Sequence, residues 1–219
     1  MNRATRPIVI AVDGPAASGK GTIARALAAH LGLPHMDTGM LYRSVALSMF
    51  RFGGDPASEF EALRACEGVA QVDPGDPELR SEIVGSIASR ISAYPGVRAA
   101  LLDRQRQFTA QADGAVLDGR DIGTVIVPGA TVKLFVTASP EVRARRRVRE
   151  LLERGMPAHL EDVLIDIRAR DARDSGREAA PLFQAADAEL LDTSEMDIDQ
   201  AIARAIDLVD NKLKQLAHH

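Results

Sequence analysis

The sequence predicts a doubly wound α/β sheet, and two observations carry that reading. Short, β-branched apolar runs alternate with amphipathic helical stretches, with no internal repeat and no low-complexity segment. The first apolar run, "IVIAV", is followed at once by "DGPAASGKGT", Asp13 to Thr22, which reads G-x-x-x-x-G-K over Gly14 to Lys20. A surface turn needs one or two glycines at most. A loop of this kind between a strand and a helix turns its backbone amides toward an anion at the helix start.

The elements follow in order. Residues 8–13 form a continuous buried strand stopped by Asp-Gly-Pro. "GKGTIARALAAHLG" is an amphipathic helix with Gly32 as its C-cap. "PHMD" is a short strand, and "TGMLYRSVALSMFRFGG" a second helix closed by two glycines. Residues 53–78 carry the weakest pattern, with "DPGDPE" as a turn-rich link. Helical spacing resumes over 79–93, breaks near Pro95 and continues to about 112. "AVLD" (115–118) and "TVKLFV" (131–136) are core strands. "SPEVRARRRVRELLERG" is a helix with Ser139 as N-cap, Pro140 in its first turn and Gly155 as its stop. A helix over 159–175, the strand "ELLD" and a last helix from about 197 complete the chain.

With 219 residues, 46% hydrophobic and 26% charged, the chain suits one globular domain or one core with small appended lobes. A net charge of −4 argues against a general nucleic-acid binder. The single cysteine, Cys66, cannot form an internal disulfide and reads as an ordinary half-buried residue, which favours the cytoplasm. No apolar run approaches the ~20 residues of a membrane span, and "MNRATRPIVIAV" has too short an apolar core for a signal peptide. His30, His35, His159 and the terminal pair His218 and His219 lack metal-ligand spacing. The expectation is a cytoplasmic monomer with no nucleic-acid or membrane partner.

Three motifs carry chemistry. In the glycine loop, Gly14, Pro15, Ala16, Ala17, Ser18, Gly19, Lys20, Gly21 and Thr22 would surround polyphosphate, with Lys20 reaching the β and γ oxygens. The hydroxyl that usually follows the lysine is displaced by one, from Gly21 to Thr22. The guanine-reading N-K-x-D pattern is absent. "DTGMLYR" places Thr38, Tyr42 and Arg43 at one helix start, as a site or simply as a capped helix with a solvated arginine. In "LDGRDIGT", Asp118 ends a strand where a carboxylate can hold Mg²⁺ through water, so Thr22 and Asp118 are the expected metal contacts. Gly119 lets Arg120 and Asp121 turn back over the sheet's carboxyl edge, to meet a ligand or to form an ion pair.

Taken together, "GPAASGKGT", "DTGMLYR", "SRISAYPGVRAALLDRQR", "DGRDIGT", "RDARDSGREAAPL" and "ELLDTS" resemble bacterial cytidylate kinases over nearly the whole chain. The resemblance implies a P-loop NTPase-type parallel sheet flanked by helices. It also implies an acceptor-binding lobe at about 38–95 and a small lid at about 149–160, both inserted in one domain spanning 1–219. The implied activity is transfer of the ATP γ-phosphoryl to CMP or dCMP, with ATP and Mg²⁺ as cofactors. The resemblance puts Thr38, Tyr42, Arg43, Ser89, Arg98, Arg120, Asp121, Arg170, Asp174 and Arg177 around the acceptor. Cytosine offers one amine donor beside two acceptors, which suits Asp121 with Ser89 and Arg98. Arg170 and Asp174 share a helix face and suit the sugar, and Arg177 suits the phosphate.

Lys20, Arg120, Arg177 and one or both of Arg146 and Arg147 are the expected catalytic cations, the other arginines of the 143–149 run being solvated. Only "CEGVAQVDPGDPE" separates the helices where longer family members carry extra strands. Two rival readings are another small P-loop kinase, acting on UMP or a metabolite hydroxyl, and a non-catalytic nucleotide-dependent switch.

Overall fold

The computed structural model describes residues 7–111 and 113–217. Ala112, where a helix is expected to end, and the pair His218 and His219 lie outside the described residues. The strands are β1 (Ile8–Asp13), β2 (His35–Asp37), β3 (Gly114–Gly119), β4 (Val132–Thr137) and β5 (Glu189–Asp192). The helices are α1 (Lys20–Leu31), α2 (Thr38–Arg51), α3 (Glu59–Ala65), α4 (Glu82–Ile91), α5 (Pro95–Thr109), α6 (Pro140–Glu153), α7 (Leu160–Ser175) and α8 (Ile198–Ala217). Two compact units result, one of Met1–Met36 with Thr109–His219 and one of Asp37–Phe108.

The first unit carries a five-stranded sheet in the order β2-β3-β1-β4-β5. β1 runs parallel to both neighbours, with Ile10 opposite Val116 on β3 and Val132 on β4, and β4 runs parallel to β5. Parallel neighbours require crossover connections, which the helices supply. β1 reads as an unbroken apolar run because a parallel sheet is covered on both faces. Ile10, Val12, Val116, Leu134 and Val136 pack with Ile23 and Leu27 of α1 and with Ala201, Ala205 and Val209 of α8. Each large side chain so buried contributes about 1.5–3 kcal/mol.

α1 starts without a side-chain cap: Gly19 holds the left-handed conformation (φ 89°) and no side chain accepts from its first turn. It ends as expected at Gly32 (φ 65°), whose N–H meets the carbonyls of Ala28 and Ala29. Ser139 caps α6 by accepting from the Val142 N–H. Among the described residues no helix is long and apolar enough to cross a membrane.

The second unit is helical and has its own core of Val45, Leu47, Met49, Leu79, Val84 and Ile91. Asp37 caps α2 through the Met40 N–H. The expectation for 53–78 is corrected here, since this stretch folds into α3 and two 3₁₀ turns, Cys66–Gln71 and Pro77–Arg80. Ser58 caps α3, and Ala62, Ala65 and Val69 are buried against the same core, so burial orders a segment whose periodicity is weak. "DPGDPE" is turn structure, held by Asp73 accepting from the Gly75 N–H and Asp76 accepting from the Glu78 N–H. α4 begins at Glu82 rather than 79 because Ser81 is its cap.

One contact fixes how the chain leaves the central strand. A Cβ on Gly14 would overlap the carbonyl oxygen of Val136 on the adjacent strand. The neighbour is backbone in a paired sheet and has nowhere to go. Gly14→Ala is therefore expected to lower stability by ~2 kcal/mol or more, beyond an ordinary surface change. Thermal unfolding of the two proteins checks this, and a loss below about 0.5 kcal/mol would mean the strand end adjusts freely.

Candidate active site

The loop after β1 is held from behind. Lys20 Nζ donates to the Pro15 carbonyl at 3.3 Å, Arg143 Nη1 to the Ala16 carbonyl at 3.2 Å and Thr193 Oγ1 to the Ser18 carbonyl at 3.3 Å. Ala17 sits in the left-handed region at φ 58°. These carbonyls are tied back and no side chain caps α1, the arrangement in which a helix start can take an anion.

The arginine run divides differently from expectation. Arg143 is not solvated: it is buried, donates through Nε to the Ala138 carbonyl at 2.8 Å, and forks onto Asp171 at 3.0 and 2.6 Å. It lies four and eight residues before Arg147 and the buried Leu151, the helical spacing that puts it on the inner face of α6. Arg146 donates to the Thr193 hydroxyl and carbonyl and to the Met196 carbonyl. Arg147 pairs with Glu150, while Arg145 and Arg149 are exposed.

At the end of β3, Asp118 is buried and its Oδ1 meets His35 Nε2 at 2.8 Å. Its other oxygen faces the first turn of α1, where a Cβ on Gly21 would lie 3.6 Å from Oδ2. Thr22, the next residue, is exposed and accepts from Arg25. Among the described residues no three His, Cys, Asp or Glu side chains gather into a metal cage. Mg²⁺ needs no such cage, since it is held by one or two carboxylates together with substrate phosphates. A carboxylate oxygen and a hydroxyl at one helix turn beside a phosphate loop fit it.

Arg120 Nε donates to Asp174 Oδ2 on α7 at 2.8 Å. Burial pushes the Asp174 carboxyl up, but Arg120, Arg170 and Arg177 together overcome this and hold it below the ordinary carboxylate range. Arg177 also donates to the Asp174 carbonyl. Three arginines thus surround one buried carboxylate in the same unit as the phosphate loop. Asp121 is buried and opens one wide helical turn, Ile122–Ile126, where the sequence suggested only a loop.

In the second unit Thr38, Tyr42 and Ser89 are buried. The Arg98 guanidinium lies 6.0 Å from the Tyr42 ring centre and donates to the Ser92 carbonyl. Arg43 is not a solvated arginine: it donates to the Leu79 and Ser81 carbonyls at 2.7 and 3.2 Å, over Gly85, one turn before Ser89 on α4.

The family model described as cytidylate kinase matches residues 10–211. The chain belongs to the cytidylate kinase family. It is 60% identical over 205 residues to a cytidylate kinase of Xanthobacter autotrophicus, covering 93% of this chain and 97% of that one. It is 55% identical over 205 residues to a cytidylate kinase of Azorhizobium caulinodans, covering 93% and 98%. Its fold is similar to a solved structure of an uncharacterized protein from Eubacterium ventriosum, at 15% identity and a TM-score of 0.56, covering 93% and 98%.

Within this member of the cytidylate kinase family, sequence reasoning passed over four residues that shape the site: Asp13, His35, Arg143 and Thr193. His35 shows no signal in sequence, because its partner Asp118 is 83 positions away. Asp13 ends β1 and is buried, its two oxygens accepting from the Ile122 and Gly123 N–H groups at 2.7 and 2.8 Å. Its polar position just before the loop was visible, but its partners across the sheet were not. Desolvation, with a smaller push from the Asp121 charge, raises its pKa to about 6 against the pull of those two amides and of Lys20. Lys133 flanks the same turn beside Gly123, its ammonium paired with Asp187.

Because the folded pKa lies above the unfolded value, Asp13 favours folding when protonated, and that contribution disappears as pH rises through about 6. The stability of the wild type relative to Asp13→Asn is therefore expected to fall by about 2 kcal/mol between pH 4.5 and 7.5. Urea unfolding at the two pH values measures it, and a pH-independent difference would mean that Asp13 titrates as an ordinary carboxylate.

Proposed function

We propose that this chain transfers the γ-phosphoryl of ATP to CMP or dCMP. As a member of the cytidylate kinase family it is a nucleoside monophosphate kinase, an ATP-dependent phosphotransferase. The observation that carries the reading is the pairing, within one unit, of a phosphate loop with a second cation cluster of Arg120, Arg170 and Arg177 about Asp174. A nucleotide switch has no need of a second anion site.

In this reading residues 14–22 bind ATP, with Lys20 against the β and γ oxygens. Thr38, Tyr42, Arg43, Ser89 and Arg98 from Asp37–Phe108, together with Arg120, Asp121, Arg170, Asp174 and Arg177, bind the acceptor. The stretch at about 38–95, which lies within the unit Asp37–Phe108, serves as the acceptor lobe and the segment around 149–160 as the lid. An oxygen of the acceptor's α-phosphate attacks the γ-phosphorus in line, and the bond from that phosphorus to the β–γ bridging oxygen breaks to release ADP. The acceptor phosphate is dianionic near neutral pH, so no general base is required. The rate comes from positioning and from cations aimed at the transferring oxygens: Lys20, Arg120, Arg177 and, from α6, Arg146 and Arg147. Thr22 and Asp118 would hold Mg²⁺, which neutralises charge on the β- and γ-phosphates when bound.

Two tests follow from these assignments. An ADP-release assay across CMP, dCMP, UMP, AMP and shikimate is expected to show turnover concentrated on CMP and dCMP. A preference for shikimate or AMP would replace this reading with that of another small kinase, and no turnover on any acceptor would favour the switch. In the same assay Lys20→Met is expected to fold and to lose ~10²–10³-fold or more in kcat.

Base choice rests on Asp121. Its carboxylate would accept from the cytosine amine, whereas the uracil carbonyl would oppose it, and such mismatches reach ~10⁴-fold. Asp121→Ala is expected to lower kcat/KM for CMP far more than for UMP. A parallel loss for both would leave Asp121 merely orienting its neighbours.

A further inference from the structure

We propose that Asp13 is a positioning residue: its buried carboxylate caps the turn that follows Arg120 and Asp121, leaving the Asp121 carboxylate to address the acceptor base. The inference rests on the reading that Arg120 and Asp121 meet the acceptor. It adds a residue on the opposite side of the loop that makes that meeting geometrically possible.

The argument starts from the turn itself. Asp121 stands at the N-cap position of Ile122–Ile126, and aspartate is a preferred N-cap because its side chain normally accepts from the amides just ahead of it. Here it does not, and no side chain of the turn's own cap closes it. The amides of Ile122 and Gly123 donate instead to the two oxygens of Asp13, which reaches them from the end of β1, more than one hundred residues earlier. The backbone carbonyl of Asp121 still accepts from the Val125 and Ile126 N–H groups, so its main chain is fixed from both directions while its carboxylate is spared capping.

Two further observations fit a positioning role. A Cβ on Gly123 would meet the Lys133 side chain at 2.9 Å and an Asp13 oxygen at 3.4 Å, so the turn approaches Asp13 as closely as backbone allows. Both Asp13 oxygens are spent on this turn, whereas the side chains that bond the phosphate-loop carbonyls are Lys20, Arg143 and Thr193. A buried carboxylate costs desolvation, and serine or asparagine in the turn itself would cap it without a charge. Retention of the charge is understandable if the Asp121 carboxylate has to point elsewhere.

Without Asp13, the vacated amides recruit the Asp121 carboxylate as an ordinary N-cap. Asp13→Ala removes both acceptors, and near-isosteric Asp13→Asn keeps one oxygen and sets an amine against the other N–H. For either variant, kcat/KM for CMP is expected to fall ~10²-fold, the cost of an ångström-scale misplacement. The CMP-to-UMP preference is expected to narrow with it. The affinity for a non-hydrolysable ATP analogue, by calorimetry, is expected to stay within about 2-fold, as for a site acting on the other substrate. Hydrogen exchange at the Ile122 and Gly123 amides is expected to accelerate at least ~10-fold, reporting the lost caps directly. Intact mass is checked, since asparagine before glycine deamidates.

Unchanged exchange at those amides, an unchanged CMP-to-UMP ratio, or an equal loss of analogue affinity would each overturn the positioning role. A wild type that never phosphorylates CMP would instead overturn the functional reading on which it rests.

Discussion

The end of β1 is the constraint on which the rest of the first unit depends. A parallel strand buried on both faces must release its chain at the carboxyl edge of the sheet, and here it does so against the carbonyl of Val136, where no side chain fits. Gly14 satisfies that contact. The loop that follows is then held by Arg143 and Thr193 through its carbonyls. α1 opens at Gly19 without a side-chain cap, the form of helix start that suits an anion.

Charge is arranged around this edge with little left to solvent. Asp13, Asp118 and Asp174 are all buried, and each has a different partner type: backbone amides, a histidine and an arginine cluster. The environments push them apart. Desolvation dominates for Asp13 and raises it, whereas three arginines dominate for Asp174 and lower it. Perturbations of opposite sign within one unit are what a phosphoryl-transfer site needs, because it must concentrate cations without losing the carboxylates that orient them. The Arg143–Asp171 fork extends the arrangement, joining the loop to the helix that carries Arg170 and Asp174.

Legibility in the sequence tracked the range of the interactions involved. The glycine loop, the Ser139 and Gly32 caps and the core strands were readable because each depends on residues within a few positions. The segment 53–78 was not, since α3 and its neighbouring turns are ordered by burial of Ala62, Ala65 and Val69 against α2 rather than by propensity. The arginine run on α6 was legible as a helix but not as a set of roles. Periodicity alone could have put Arg143 on the inner face, yet nothing local names Ala16 and Asp171 as its partners.

By itself the sequence determined the α/β class, the order of the strands and of the helices outside 53–78, the glycine loop and the set of residues from which a nucleotide site could be drawn. These follow from local physics: apolar period, cap chemistry, and the freedom of glycine to leave a strand tightly. Only the tertiary structure decided which charges meet. Arg120 pairs with Asp174 across 54 residues, His35 with Asp118 across 83, and Asp13 with the amides of Ile122 and Gly123 across more than one hundred. Side chains adjacent in sequence at a strand end diverge, and the parallel register of β1 with β3 brings distant ones together, so the pairing of charges is a property of the sheet.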